Sequence, residues 1–376
     1  MGCPSGGGFR GSRGRGDRGR RPGGRLDRLG GERYAKSTTA RWGCGERTGG
    51  RPVVSVTALF GPVQEDLERV EALLEGVIAE VEYPLLAQVL GHVLRRRGKR
   101  LRPALALLAA HFFDYQPERV LPLAGAVELL HTATLIHDDL IDNAPTRRGL
   151  PALHALVGPK ATVLVGDYLF ARSAAMASAT ESVRVMALFA RALMQICDSE
   201  LRQVFRGPVG PESREEYYRR IYGKTAALFV TATEGGAVLS HAPEPVVQAL
   251  AAYGANLGLA FQIVDDVLDF IGDERELGKP VGSDLRQGTV TLPVLWFLER
   301  YPEEPLLHRV IAGDDLTDGA VRAAVALIAD SPAIGYALEE ARRLAQQAKA
   351  ALEILPDNPY RRALWEIADY AVERRS

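Results

Sequence analysis

The stretch that decides the fold is His131-Thr-Ala-Thr-Leu-Ile-His-Asp-Asp-Leu-Ile-Asp-Asn-Ala-Pro-Thr-Arg-Arg-Gly149, whose centre holds Asp138, Asp139 and Asp142. Residues four apart lie on one helix face, so Asp138 and Asp142 point the same way and Asp139 lies beside them. The residues before them are almost wholly apolar, so these carboxylates emerge from a buried helix. Burying them is costly unless cations compensate, and Mg²⁺ characteristically takes one or two carboxylates plus water and substrate phosphates.

A second copy of this pattern follows later in the chain. Ile263-Val-Asp-Asp-Val-Leu-Asp269 repeats Ile136-His-Asp-Asp-Leu-Ile-Asp142 at the same spacing, again after a long apolar run. A single Asp-Asp-x-x-Asp is more often an acidic helix end, but two copies on facing helices would make an acidic mouth for metal ions above an apolar interior. The repeat therefore favours a metal site.

The rest of the body has helical periodicity from Pro62 onward and no convincing run of alternating strand residues. We expect further helices at 84–97, 103–113, 118–142, 159–178, 181–206, 213–240, 245–271, 290–301, 317–329, 331–354 and 358–374, with breaks at Gly, Pro and Asp clusters. Several of these helices are apolar nearly all round. The fold class is therefore all-α, a large bundle with a buried central layer.

The first 52 residues differ in composition from the rest. They contain 16 Gly and 12 Arg, and with Lys36 against four acids their net charge is +9, which leaves −10 for residues 53–376 of a chain whose total is −1. Such a segment cannot bury enough apolar surface to fold. Three interpretations stay open: an RNA-binding tail, a plain disordered extension, or, as we favour, an upstream start assignment with translation beginning near Val54 or Val56.

The composition of the body, residues 53–376, argues against several classes of protein. Its acidic charge argues against nucleic acid as a partner. Cys197 is its single cysteine, so no disulfide can form within it, and we expect a cytoplasmic protein. The 19 uncharged residues Val246–Val264 include Gln248, Asn256 and Gln262, and we interpret them as a buried core helix rather than a membrane span.

Basic residues occur in short groups. Gly98-Lys-Arg-Leu-Arg-Pro103 carries more cations than a helix cap needs, and Arg147-Arg148 follows the first aspartate cluster, so both groups suit anion binding. Lys224-Thr225 and Lys279 have an ordinary surface interpretation on the sequence alone. His131 is by default a hydrogen-bonded core histidine.

The ordered motifs resemble those of the trans-isoprenyl (polyprenyl) diphosphate synthases, most closely the bacterial long-chain heptaprenyl and octaprenyl kind. The resemblance covers about residues 57–376 and rests on Gly98–Pro103, His131–Gly149, Gly166-Asp167, Lys224-Thr225, Phe261–Phe270 and Gly278–Asp284 through Thr291-Leu292-Pro293. It implies the isoprenoid synthase fold, a homodimeric all-α bundle with a cavity among its central helices. Together with the change in composition, it leads us to divide the chain into the disordered extension 1–52 and a synthase domain 53–376.

The resemblance also implies roles for individual residues. The principal Mg²⁺ ligands match Asp138, Asp142 and Asp265, with Asp139, Asp266 and Asp269 in support. The isopentenyl diphosphate site matches Lys99, Arg102, His131 and Arg148. The allylic diphosphate site matches Arg147, Lys224, Thr225, Gln262 and Lys279. Many relatives carry a lysine where this chain has Thr289, which puts one further phosphate contact in doubt.

The implied reaction is Mg²⁺-dependent condensation of isopentenyl diphosphate with an allylic prenyl diphosphate. It requires exclusion of water, for which Gly272–Gly288 is the candidate lid. Alternatives are the catalytic subunit of a heterodimer, a regulatory binding subunit, a shorter-chain geranylgeranyl synthase and a class I terpene cyclase. A cyclase would leave Lys99, Arg102 and Arg148 without a purpose.

Product length depends on the helix wall below the first cluster. In the family, bulky residues one turn before the first aspartate form a floor for the growing chain, and here these positions are Ala133 and Thr134. Both are small, and Leu129 and Leu130 follow one turn further down. We therefore expect a long product, a quinone side-chain precursor, unless Phe170 or Phe189 forms the floor. Peripheral membrane contact for product release is a further expectation.

Overall fold

The computed structural model describes Gly2 and residues 56–95, 98–147, 150–206, 212–272 and 281–374. Within these ranges the fold is all-α, as predicted, apart from two antiparallel two-residue strands, β1 (Thr146–Arg147) and β2 (Leu150–Pro151). The helices are α1 (Gln64–Ala79), α2 (Pro84–Leu94), α3 (Leu101–Ala110), α4 (Pro117–Ile141), α5 (Leu153–Val157), α6 (Pro159–Ser178), α7 (Val183–Arg206), α8 (Arg214–Ile221), α9 (Ala227–Leu239), α10 (Glu244–Ile271), α11 (Ser283–Arg286), α12 (Leu292–Leu298), α13 (Pro305–Ala312), α14 (Asp318–Ala329), α15 (Ala333–Ala351) and α16 (Pro359–Glu373).

Three short segments complete the described backbone. Val56–Val63 and Leu352–Ile354 are 3₁₀-helical, and Tyr222–Ala226 is π-helical. The single helix predicted over 213–240 is therefore wrong in detail, because a π-helical turn separates α8 from α9. Apolar periodicity does not distinguish an α-helical from a π-helical turn, and such turns are frequent at functional sites. The extension 1–52, apart from Gly2, lies outside the described residues.

Local signals set several helix starts. Proline occupies the first turn of α4, α6 and α16, where its missing N–H costs no hydrogen bond. At α8 the side chain of Ser213 accepts from the backbone of Glu216, whose carboxylate accepts from the backbone of Ser213. This capping box satisfies donors that the first turn leaves unpaired. It fixes the start of the short helix that leads into the π-helical turn.

The two longest helices, α4 and α10, form the centre of the bundle. α4 packs mainly against α6, and α10 packs against α9 and α15. Close approach depends on glycine: a Cβ at Gly258 would lie 2.5 Å from Ala226 Cα, and one at Gly254 would lie 2.4 Å from Thr233 Oγ1. Because both central helices end at an aspartate cluster, the carboxylates emerge from the core at helix ends.

The two central helices are long and largely apolar. By length and composition alone α4 and α10 could each cross a membrane, and the bent pair Asp318–Ala329 and Ala333–Ile354 could make a third span. In the bundle, 67% and 50% of the apolar windows of α4 and α10 are buried. This burial fits the core helix expected for Val246–Val264.

Candidate active site

The six aspartates of the two clusters separate into two groups. Asp142 and Asp265 are exposed and Asp138 is half-buried, whereas Asp139, Asp266 and Asp269 are buried. The three accessible carboxylates are the residues expected as principal metal ligands. Helix geometry explains the division in the first cluster, because Asp138 and Asp142 share a face that Asp139 does not.

In the first cluster, Asp139 organises the residues that follow α4. Arg147 Nε donates to both oxygens of the Asp139 carboxylate, at 2.6 and 2.8 Å. Arg147 lies in β1, so this ion pair holds the start of the two-strand turn against the end of α4. Asp139 therefore positions a predicted phosphate-binding arginine.

In the second cluster, Asp266 accepts from Tyr217 Oη at 2.7 Å and from Gln262 Nε2 at 2.9 Å. Burial raises the pKa of Asp266 to about 7, and the charge of Asp284 adds to that rise. Because both carboxylate oxygens accept hydrogen bonds, Asp266 connects α8 to α10. These hydrogen bonds suit a role in holding the site together more than a role in binding metal.

Asp269 has no exposed surface, and it anchors residues 282–284 to the end of α10. Its carboxylate accepts from Ser283 Oγ at 2.9 Å and from the backbone N–H of Asp284 at 3.0 Å, and its carbonyl accepts from the N–H of Gly282 at 2.7 Å. The part of the expected lid from 281 to 288 is therefore tied to α10. Residues 273–280, which include Lys279, lie outside the described residues, as does Arg148.

The accessible carboxylates form the donor set for a divalent cation. Burial raises the pKa of Asp138 to about 7, and the charges of Glu200 and Asp142 contribute while Lys224 opposes the rise. A bound hard cation stabilises the ionised carboxylates, and carboxylate oxygens are ligands that suit Mg²⁺ or Ca²⁺. In the part of the chain that the structure describes, no three His, Cys, Asp or Glu side chains converge tightly enough to hold an ion alone. Two carboxylates per ion, completed by a diphosphate, fit the residues present.

Lys224 and Thr225 lie on the π-helical turn, and the charge of Lys224 interacts with Asp138 and Asp142. Burial lowers the pKa of Lys224, but the charges of Glu200, Asp138 and Asp142 outweigh burial, so that the pKa is raised. Lys224 Nζ lies 3.5 Å from Glu200. Thr225 Oγ1 donates to Gln262 Oε1 at 2.5 Å. One turn thus presents a cation to the first cluster and a hydroxyl to the helix of the second.

The predicted second phosphate site centres on the loop before α3. Lys99 Nζ lies 5.7 Å from the ring centroid of Tyr370, and the Arg102 guanidinium lies 5.0 Å from that of Phe229. Arg100, counted among the loop cations in the sequence, instead turns into the protein between two glutamates. The loop therefore offers two cations to a ligand, Lys99 and Arg102, which are the two that the resemblance assigns to isopentenyl diphosphate.

Among the other predicted residues, His131 is half-buried on α4, and its carbonyl accepts from Thr134 Oγ1 at 2.8 Å. Ala133 is fully buried, and Thr134 is half-buried. One turn below, Leu130 belongs to an apolar cluster with Phe189 of α7, against which Phe170 also packs. Both aromatic residues considered as an alternative floor therefore lie near α4.

Two residues at the site, Glu200 and Arg374, were missed from the sequence, and a third, Asp284, lay in a motif but had no predicted role. Glu200 pairs with Lys224, Asp284 influences the pKa values of Lys224 and Asp266, and Arg374 pairs with Asp265 at 2.7 Å. Glu200 lies on a strongly amphipathic helix where a glutamate is unremarkable, and Arg374 resembles an ordinary basic helix end. Neither carried a local signal.

A helical bundle with two aspartate clusters at the ends of its central helices, and basic side chains facing them, defines a prenyltransferase of the isoprenoid synthase fold. Residues 83–328 match the Polyprenyl synthetase family model. The chain belongs to this family, whose members are trans-polyprenyl diphosphate synthases.

Individual relatives align with this chain over almost their whole length. Heptaprenyl diphosphate synthase component 2 of Geobacillus stearothermophilus is 39% identical over 324 residues, which are 85% of this chain and 99% of that protein. A polyprenyl synthase of Caulobacter crescentus CB15, complexed with calcium and isoprenyl diphosphate, is 38% identical with a TM-score of 0.82, covering 87% of this chain and 100% of that one. A decaprenyl diphosphate synthase of Rhodobacter capsulatus is 40% identical with a TM-score of 0.80, covering 85% and 99%.

Proposed function

We propose that this enzyme condenses isopentenyl diphosphate with an allylic primer, farnesyl or geranylgeranyl diphosphate, in a Mg²⁺-dependent reaction. The product is a long-chain all-trans polyprenyl diphosphate for a quinone side chain. The observation that carries the proposal is the π-helical turn: Lys224 interacts with Asp138 and Asp142, while Thr225 bonds to Gln262 on the helix of Asp265. A diphosphate bound between the two aspartate clusters would meet Lys224 and Thr225.

The residues divide the chemistry between two diphosphates. Mg²⁺, when bound by Asp138, Asp142 and Asp265, supplies charge that favours departure of the allylic diphosphate. Lys224 and Arg147 hold that diphosphate, and Lys224 stays protonated because surrounding carboxylates raise its pKa. Lys99, Arg102 and His131 orient isopentenyl diphosphate, whose double bond attacks the allylic cation. A C–C bond forms, a proton is lost, and the departed diphosphate is the base we favour.

Support for a long product comes from the small residues below the first cluster and from the relatives. Ala133 and Thr134 leave the turn below Asp138 without an aromatic side chain on those positions. The Geobacillus and Rhodobacter relatives are named for heptaprenyl and decaprenyl products. A geranylgeranyl product is the shorter alternative, and product sizing separates the two.

Assembly and location complete the proposal. The chain acts in the cytoplasm as a homodimer, without nucleic acid, and contacts a membrane peripherally to release its product. Exposed apolar side chains on α6 and α7 support a protein interface, among them Leu164 (67% exposed), Met194 (64%) and Phe205 (79%). A heterodimer is the second candidate, because the Geobacillus relative is named as component 2.

The deciding experiment is turnover of radiolabelled isopentenyl diphosphate by the purified chain alone. With Mg²⁺ and farnesyl diphosphate we expect a long product, and chelation should abolish its formation. A terpene cyclase would consume the allylic diphosphate without incorporating label. No incorporation without a second protein, and incorporation with one, would favour the heterodimer.

A further inference from the structure

Arg100 has a backbone conformation that few side chains adopt. Its φ of 50° and ψ of 32° lie in the left-handed region, and it immediately precedes α3. For a residue other than glycine this conformation costs free energy and persists where other contacts enforce it. Only 13% of the Arg100 side chain is exposed, although it lies in a loop between Lys99 and Arg102.

The enforcing contacts are four hydrogen bonds from one guanidinium group. Nε and Nη2 donate to the two carboxylate oxygens of Glu71 at 2.5 and 3.2 Å. Nη1 donates to Glu128 at 2.7 Å, and Nη2 also donates to the carbonyl of Leu94 at 3.3 Å. Arg100 therefore joins α1, the end of α2 and α4 at one point.

This arrangement directs the neighbouring cations to the other side of the loop. Lys99 lies over Tyr370 of α16 and Arg102 lies over Phe229 of α9, so both face elements that Arg100 does not touch. Glu128 lies on α4, ten residues before Asp138. The Arg100 contacts thus fix the basic loop to the helix that carries the first aspartate cluster.

We propose that Arg100 is a positioning residue for isopentenyl diphosphate: its contacts with Glu71 and Glu128 hold Lys99 and Arg102 where they bind the second diphosphate. This inference rests on the proposed function. Arg100 does not itself bind substrate, because both edges of its guanidinium group already donate hydrogen bonds to glutamates. Loss of the contacts lets the loop move, and affinity for isopentenyl diphosphate falls while the allylic site, built on α4, β1 and the π-helical turn, is unaffected.

The informative substitution is Arg100→Gly, since glycine adopts the left-handed backbone without strain and removes the side chain that contacts Glu71 and Glu128. We expect its KM for isopentenyl diphosphate to rise about tenfold or more, the equivalent of one or two charge-assisted hydrogen bonds. The KM for farnesyl diphosphate should change less than about twofold. Glu128→Gln should also raise the KM for isopentenyl diphosphate. Arg100→Lys should keep more affinity for isopentenyl diphosphate than Arg100→Gly does.

Two control variants separate positioning from loss of stability. Arg95→Gln removes another arginine–glutamate pair between α2 and α1, to Glu75, at an exposed position. Leu344→Ala removes a buried side chain from α15, in a different apolar cluster. Both should leave the KM for isopentenyl diphosphate unchanged, although Leu344→Ala lowers the melting temperature.

Calorimetric titration with isopentenyl diphosphate alone gives a readout independent of turnover. Weaker binding to Arg100→Gly and to Glu128→Gln, with normal binding to both controls, supports the proposal. Unchanged binding to Arg100→Gly, or an equal loss for Leu344→Ala at matched melting temperature, overturns it. Failure of the unmodified enzyme to incorporate isopentenyl diphosphate, both alone and with a second subunit, would instead refute the proposed function.

Discussion

Arg374 and Asp265 form an ion pair at 2.7 Å in the candidate active site. The guanidinium also donates to the carbonyl of Phe261 at 2.7 Å and lies 3.7 Å from the Phe261 ring centroid. Only 5% of the Arg374 side chain is exposed. An arginine at the end of α16 therefore neutralises the one accessible carboxylate of the second cluster, where a divalent cation would otherwise do so.

The first prediction concerns this competition. Arg374→Gln should bind Mg²⁺ or Ca²⁺ several-fold more tightly in the absence of substrates, because the cation no longer displaces an arginine from Asp265 and meets less positive charge. Calorimetric titration of the metal-free protein measures the effect. Arg362→Gln in the same helix, which loses only an exposed pair with Asp357, is the control and should bind as the parent does. Equal or weaker binding by Arg374→Gln would contradict the competition.

The second prediction separates the accessible from the buried aspartates. Asp138→Ala or Asp265→Ala should lower turnover by orders of magnitude, about 10³-fold, and leave helical circular dichroism intact. Asp269→Asn should lose about 1–3 kcal/mol of stability, because an amide replaces one of two oxygens that accept from Ser283 and Asp284.

Steady-state kinetics and thermal unfolding of the three variants, measured side by side, test this division. Near-normal turnover in Asp138→Ala would refute the metal-ligand assignment. A melting temperature for Asp269→Asn equal to that of the parent would refute the anchoring role of Asp269.

The sequence predicted the central architecture well because its signals are local. Long apolar runs ending in Asp-Asp-x-x-Asp identified α4 and α10, and the four-residue spacing indicated that Asp138 and Asp142 share a face. Periodicity shows which face of a helix is buried but not which neighbour covers it. The pair between Arg374 and Asp265, 109 residues apart, depends on how α16 packs against α10. The inward turn of Arg100 likewise depends on glutamates from two other helices.

The third prediction tests the close contact between α4 and α6. A Cβ at Gly166 would lie 2.1 Å from His137 Nε2, which donates to the carbonyl of Val163 at 3.1 Å and lies 3.7 Å from the Asp167 carboxylate. Gly166→Ala should therefore push His137 away and lower stability by about 1–3 kcal/mol. Turnover should fall as well, since His137 precedes Asp138.

Gly335→Ala is the matched control, because no atom lies within 4 Å of a Cβ added there and Gly335 lies inside α15. That change should stabilise the protein by up to about 1 kcal/mol. Chemical denaturation of both variants gives the comparison. If Gly166→Ala were as stable and as active as the parent, α4 and α6 would tolerate separation at the metal site.

The last prediction concerns the floor of the product cavity. Ala133→Phe should shorten the main product towards geranylgeranyl or farnesyl diphosphate without abolishing condensation, because the ring fills space below Asp138 and leaves the ligands in place. One helix turn rises about 5.4 Å, close to one extended isoprene unit, so each turn blocked should remove about one unit. Chromatographic sizing of the products measures this.

Phe189→Ala distinguishes the two candidate floors. Phe189 is 3% exposed and shares an apolar cluster with Leu130, one turn below Thr134. If the chain grows past Ala133 and stops at Phe189, Phe189→Ala should lengthen the product while Ala133→Phe shortens it. The same long product from Ala133→Phe as from the parent would mean that this face of α4 does not line the cavity. In that case only Phe189→Ala should change the length, since growth along α7 would bypass Ala133.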